Sequence, residues 1–151
     1  GDFNNYAWND VAGWISLNCA DGGFCGTSQY KVQTSWQSTS TTASLDASTY
    51  DTGVTAAGGA KLNAVLWQGS EPAGTSVAFQ FAVSSSSGGP WNYQGPDGTA
   101  NTYYTVDPDT SKPLDYVFHA GRYFRYRITL TSNQAQTASP RVDAVIVNWS
   151  P

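Results

Sequence analysis

The acid–base inventory of this chain is small: one histidine, His119, one glutamate, Glu71, and ten aspartates. A serine–histidine–aspartate triad would have to use His119 as its base. No Gly-x-Ser-x-Gly elbow accompanies it, and Tyr116-Val-Phe-His-Ala-Gly121 reads as the run into a strand, where a histidine is ordinarily structural. Glycoside hydrolysis needs two carboxylates facing each other across a cleft. Glu71 lies in the turn Glu71-Pro-Ala-Gly74, a poor rigid platform, and the other acids are scattered loop aspartates. The inventory therefore predicts no catalytic centre. Transition metals lack suitable ligands. Hard oxygen donors are better represented: Asp107 and Asp109, with Asp115 or Asp97, form a candidate calcium set. Their spacing fits no EF-hand loop, and aspartate is also an ordinary turn residue because its side chain bonds nearby amides.

Sugar recognition asks for exposed rings beside hydrogen-bonding side chains. Trp91, Tyr93, Tyr103 and Tyr104, with Arg125 and Arg127, are the candidate glycan contacts. The plainer reading of any one ring is burial in a core, and the plainer reading of either arginine is a surface ion pair of little worth. Nucleic acid is disfavoured. The net charge is −4, whereas phosphate neutralisation needs clustered Lys and Arg, and the only basic cluster is Arg122, Arg125 and Arg127.

Composition sets the class. Aromatic residues make up 14% and charged residues 12%, and methionine is absent. Ordinary soluble domains carry roughly 25% charged residues. Low charge with many Ser, Thr, Gly, Tyr and Trp is the balance of an extracytoplasmic β protein, and the aromatics set it apart from a disordered chain. A chain of 151 residues can bury roughly 70% of its unfolded surface in a core. No apolar run approaches the roughly 20 residues needed to span a bilayer. The opening Gly1-Asp2 reads as the start of a processed product or of an excised piece. Cys19-Ala-Asp-Gly-Gly-Phe-Cys25 has neither redox-dithiol nor zinc-ribbon spacing. Its Gly-Gly turn lets the sulfurs meet, which predicts a local disulfide; a pair of free thiols is the other reading. Such a short closure stabilises by roughly 2 kcal/mol and implies an oxidising compartment, hence a secreted or cell-surface protein.

The elements that must position these residues are strands. Thr75–Val83 puts Val77, Phe79, Phe81 and Val83 on the buried face, with Ser76, Ala78, Gln80 and Ala82 facing the other way. Arg122–Leu130 does the same with Phe124, Tyr126, Ile128 and Leu130, leaving Tyr123, Arg125 and Arg127 outside. Lys61–Gln68 and Arg141–Trp149 are apolar on both faces, as in strands covered on both sides. Ala12–Asn18 and Gln29–Ser35 suggest a hairpin with the cysteine loop at its tip. Pro-, Gly- and Asp-rich turns separate the later strands, and no helical apolar stripe exceeds two turns. The fold class is all-β: an antiparallel β-sandwich, jelly-roll-like, with an N-terminal aromatic-rich hairpin arm. Residues 1–37 form the arm, 38–44 a Ser/Thr-rich linker, a tract that also suits a sheet-edge crossing and is a place to look for O-linked sugar, and 45–151 the sandwich. Asn148-Trp-Ser150 is formally an N-glycosylation sequon.

Two groups of motifs, taken together, are familiar. Tyr6-Ala-Trp8 followed by Gly13-Trp-Ile-Ser-Leu-Asn-Cys19 resembles a short "YAW…GWI" module that recurs in predicted bacterial surface proteins, often of small-genome lineages. Tyr50-Asp-Thr-Gly53, Pro72–Gln80, Gly88-Gly-Pro-Trp91, Gly95-Pro-Asp-Gly98 and Tyr123-Phe-Arg-Tyr-Arg127 are similar to jelly-roll modules of galactose-binding-like shape on envelope and adhesin-like proteins. The resemblance touches most of the chain through strand and turn motifs. It implies an extracellular sandwich, with a structural calcium of the kind such modules often carry, and transfers no catalytic residue.

The arm carries the functional expectation. Trp8, Trp14, Ile15, Leu17, Phe24, Tyr30 and Trp36 are too many apolar groups for a hairpin left in water, because an isolated two-stranded hairpin is marginal; all but Phe24 make up the expected assembly interface. The arm packs on its own sandwich or on a neighbouring copy; in the second case a head-to-tail contact propagates into a homopolymer. The expected function is a structural subunit of an extracellular filament, pilus-like fibre or coat. The alternatives are a carbohydrate-binding or adhesive module and an inert spacer.

Overall fold

The computed structural model describes residues 2–33, 40–56, 58–115, 118 and 121–151. Trp36, His119 and positions 38 and 39 of the expected linker lie outside the described residues. Two compact units follow one another, Gly1–Ser38 and Thr39–Pro151.

In the first unit, strands β1 (Tyr6–Asn9) and β2 (Gly13–Ser16) pair antiparallel. The Asn9 side chain accepts from Val11 N and Ala12 N, both at 2.9 Å, and Gly13 leaves the turn at φ 77°, a conformation costly for any residue with a Cβ. This local turn closes a shorter loop than the expected pairing of 12–18 with 29–35, and short loops lose less entropy. The expected pairing survives at its base: Asn18 bridges Lys31, Cys19 N donates to Tyr30 O, and Val32 N donates to Leu17 O. Cys19 and Cys25 form a disulfide across two short 3₁₀ turns.

The second unit is an antiparallel sandwich of ten-residue and shorter strands. They are β3 (Thr42–Asp46), β4 (Tyr50–Asp51), β5 (Lys61–Ser70), β6 (Ser76–Ser84), β7 (Tyr104–Thr105), β8 (Lys112–Pro113), β9 (Tyr123–Thr131) and β10 (Arg141–Ser150). One sheet has the order β3-β9-β6-β7, with β4 also on β9; the other has the order β10-β5-β8. The chain passes between the sheets repeatedly, as in a jelly roll. Val77, Phe79 and Phe81 from β6, Phe124 and Ile128 from β9, and Leu62, Val65 and Trp67 from β5 form one buried cluster with Tyr104 and Phe118. The Trp67 indole donates to Val106 O at 2.7 Å, so its polar edge is satisfied inside the core.

Three expectations need correction. The Ser/Thr tract supplies strand: Thr42, Ala43 and Ser44 pair with Thr131, Leu130 and Thr129. The hydroxyl pairs Thr42–Thr131 and Ser44–Thr129 line the outer face, where a polar strand is at no disadvantage. Strand β10 is an edge strand, and its outward Ile146 is 52% exposed, so its second apolar face is uncovered. The outward Gln80 and Ala82 of β6 are instead buried, because the 90–102 loop crosses them and Gln80 Nε2 donates to Ala100 O and Thr102 O, both at 2.9 Å.

Phe79→Ala is expected to lower unfolding free energy in urea by about 3–5 kcal/mol through the cavity it leaves. Ile146→Ala should change it by less than about 0.5 kcal/mol. Similar losses for both would show that burial does not rank these positions.

Candidate functional site

On the arm, the β1–β2 register sets Trp8 opposite Trp14. Their rings meet edge to face, with centroids 5.1 Å apart, an arrangement worth about 0.5–1.5 kcal/mol beyond area. They remain 62% and 71% exposed. Tyr6 shares their face by register, while Ile15 lies on the other face opposite Ala7. Ile15 and Tyr30 are exposed, and Leu17 is half-buried. Among the described residues of this unit, Cys19 is the only buried apolar side chain. The arm also exposes Phe3, Val11, Phe24 and Val32. Phe24 is already among the arm's expected apolar groups, whereas Phe3, Val11 and Val32 are not, and their spacing alone does not mark them.

On the larger sheet, β9 points Arg125 and Arg127 outward, and Arg122 stands immediately before the strand. Arg125 lies over the Trp91 ring at 4.8 Å, Arg127 over Tyr93 at 4.2 Å, and Arg122 over Tyr123 at 5.2 Å. Arg122 grips Asp51 through two bonds of 2.7 and 2.8 Å, and Arg127 grips Asp46 through two of 2.6 and 2.9 Å. Arg125 Nε donates to Thr49 Oγ1 at 2.8 Å. The hydrogen bond from Arg127 holds the Asp46 carboxyl below the usual carboxylate range, and Arg122 does the same for Asp51. Burial, followed by the Asp46 charge, pushes the Tyr93 phenol up.

Four expected glycan contacts, Trp91, Tyr93, Arg125 and Arg127, therefore do come together. Their ring faces and guanidinium donors are engaged with one another and with Asp46 and Thr49. The cluster works as a clasp that binds the 90–102 loop, β3 and the Ser48–Asp51 stretch to β9. Tyr103 is exposed. Tyr104 is a correction: it is 1% exposed, stacked among Phe81 and Phe118, and donates to Asp115 Oδ2 at 3.0 Å. It sits on the core face because it pairs with Phe79, whose side chain points inward.

The candidate calcium ligands Asp107, Asp109 and Asp115 do not converge. The Asp115 carboxylate is held by Tyr104, and Asp109 Oδ1 accepts from Gln68 at 3.3 Å. Asp97 accepts from Thr99 N, Thr99 Oγ1 and Thr102 Oγ1, as turn aspartates do. No group of three or more potential metal ligands forms among the described residues. Glu71 and Asp107 line one hollow, where burial and then the Asp107 charge raise the Glu71 carboxyl. Nothing in the local sequence signals that neighbourhood.

Tyr104 gives the site's clearest titration. Burial pushes its phenol to about 12; the hydrogen bond from Asp115 N opposes the rise, while the bond to the Asp115 carboxylate and its charge add to it. The folded state holds this proton more tightly than the unfolded chain. Its contribution is complete below the ordinary tyrosine range and is lost as pH rises through about 12. Tyrosinate absorbance should show a phenol titrating at about 12 that Tyr104→Phe removes. A wild-type titration with no such late step would contradict this.

No family model matches the chain, and no curated protein or solved structure matches it.

Proposed function

We propose that this chain is a structural subunit of an extracellular surface assembly, with the sandwich as its body and the arm as the part that grips another copy. The observation that carries the reading is the arm's lack of a core: among its described residues Cys19 is the one buried apolar side chain, while Trp8 and Trp14 stand in solvent. Covering those two rings would release on the order of 3 kcal/mol each. The sandwich buries its own cluster and does not depend on such a contact.

The extracellular setting is supported by the disulfide, which persists in oxidising compartments. Among the described residues no helix is long and apolar enough to cross a membrane. The resemblance of Tyr6-Ala-Trp8 and Gly13–Cys19 to surface-protein modules points the same way. A glycan-binding role draws less support, because Arg125 and Arg127 already occupy the Trp91 and Tyr93 rings.

Purified protein should form oligomers or fibres as its concentration rises, seen by sedimentation and negative-stain microscopy. Trp8→Ala with Trp14→Ala should raise the concentration needed by about tenfold or more, since 1.4 kcal/mol is already a factor of ten. The Tm of the sandwich should not change. A wild-type chain that stays monomeric throughout would overturn the proposal.

A further inference from the structure

The larger sheet ends at β3 and the smaller at β10, and each of these strands has a single neighbour. Between them three hollows of about 300, 430 and 210 Å³ run together. The first and second share Tyr126 and Val145, and the second and third share Leu130 and Pro140, so they make one groove. Its middle is apolar. Leu45 projects from β3 on the Ile128 side and is 64% exposed, and Val142 and Val145 project from β10. Edge strands are ordinarily protected by charge or proline. Here Arg141 and Asp143 pair with each other at one end, and Asp46 is turned outward to Arg127. Among the described residues no further strand pairs with β3 or β10, so the middle of the seam offers apolar side chains flanked by two open strand edges.

We infer that this groove is the receiving site for the arm of a second copy, with the Trp8–Trp14 hairpin lying along the seam. The inference rests on the assembly reading above. The two surfaces are complementary in kind. The arm offers short strands and large rings with no core of their own, and the groove offers apolar depth and open strand edges. Their lengths agree: four residues of β1 extend about 13 Å and five of β3 about 17 Å. Pairing along a strand edge supplies backbone hydrogen bonds, while alternate side chains enter the seam. Because the arm and groove are different surfaces of one chain, the contact is head-to-tail and repeats without closing.

The test uses the full chain. A benzophenone side chain placed at Leu45 is photoactivated in a mixture of isotopically light and heavy protein, and crosslinked peptides are read by mass spectrometry. The expected result is light–heavy crosslinks to residues 6–16. Leu45→Lys should also raise the assembly concentration by about tenfold or more, since a charge would enter an apolar seam. Because Leu45 is largely exposed, its Tm should hold. Ile146→Lys, on the outward face of the smaller sheet, should assemble like wild type. Oligomers that form with crosslinks elsewhere, unaffected by Leu45→Lys, would overturn the groove and leave the assembly reading intact. Crosslinks confined within single copies would overturn the exchange. A wild-type chain that never assembles would overturn both.

Discussion

The antiparallel pairing of β6 with β9 governs the rest of the sandwich. Nine register pairs, from Ser76↔Thr131 to Ser84↔Tyr123, fix which way each side chain points. Because side chains alternate along a strand, a slip of β9 by one residue would turn Phe124 and Ile128 out to water and Arg125 and Arg127 into the core. The hydrophobic term excludes that slip. The same parity that builds the core therefore also lines up Arg125 and Arg127 outside, where Trp91 and Tyr93 can lie across them. The clasp follows from the register.

The clasp has consequences for the sheet edge. Asp46 closes β3 and is held by Arg127 of β9, and Asp51 closes β4 and is held by Arg122, the residue just before β9. Exposed ion pairs are weak individually, at about 0–1 kcal/mol. These two are bidentate, which adds orientation as well as energy. They hold two short, exposed strands in register where apolar burial is scarce. All five residues of β3 are exposed, so hydrogen bonding to β9 and the Asp46–Arg127 pair carry more of its order than packing does.

Strands whose faces differ were legible in the sequence. The expected limits 75–83 and 122–130 lie one residue from the observed Ser76–Ser84 and Tyr123–Thr131. Their alternation is set by burial, and burial is what periodicity reports. The polar strand β3 was not legible, because its partner sits 89 residues away and its own residues bury nothing. Tyr104 was misread for a related reason. A two-residue strand carries no period, so only its pairing with Phe79 shows which face it takes. The arm's turn had a local signal in Asn9-Asp10 and Gly13, but a longer pairing with the same apolar residues competed with it. The arginine clasp could not be anticipated, since Trp91 and Tyr93 reach β9 along a loop whose path no local pattern encodes.

The two long sides of the sandwich differ because of what the chain places in them. On the side of β7 and β8, Tyr104 and Phe118 stack with Phe81 at centroid distances between 5.6 and 5.9 Å, and Val106 and Leu114 pack behind them. Large rings there fill the gap between the sheets. On the side of β3 and β10, the residues facing the gap from β3 are Ala43 and Leu45, and those of β10 are mostly valines. Two sheets packed face to face stand about 10 Å apart, a distance that small side chains reaching in from an edge do not close. Low hydrophobicity made residues 38–44 look like a linker, and in the fold the strand that begins there leaves the seam open. The same polar composition that buries nothing in β3 thus leaves a hollow between the two sheet edges.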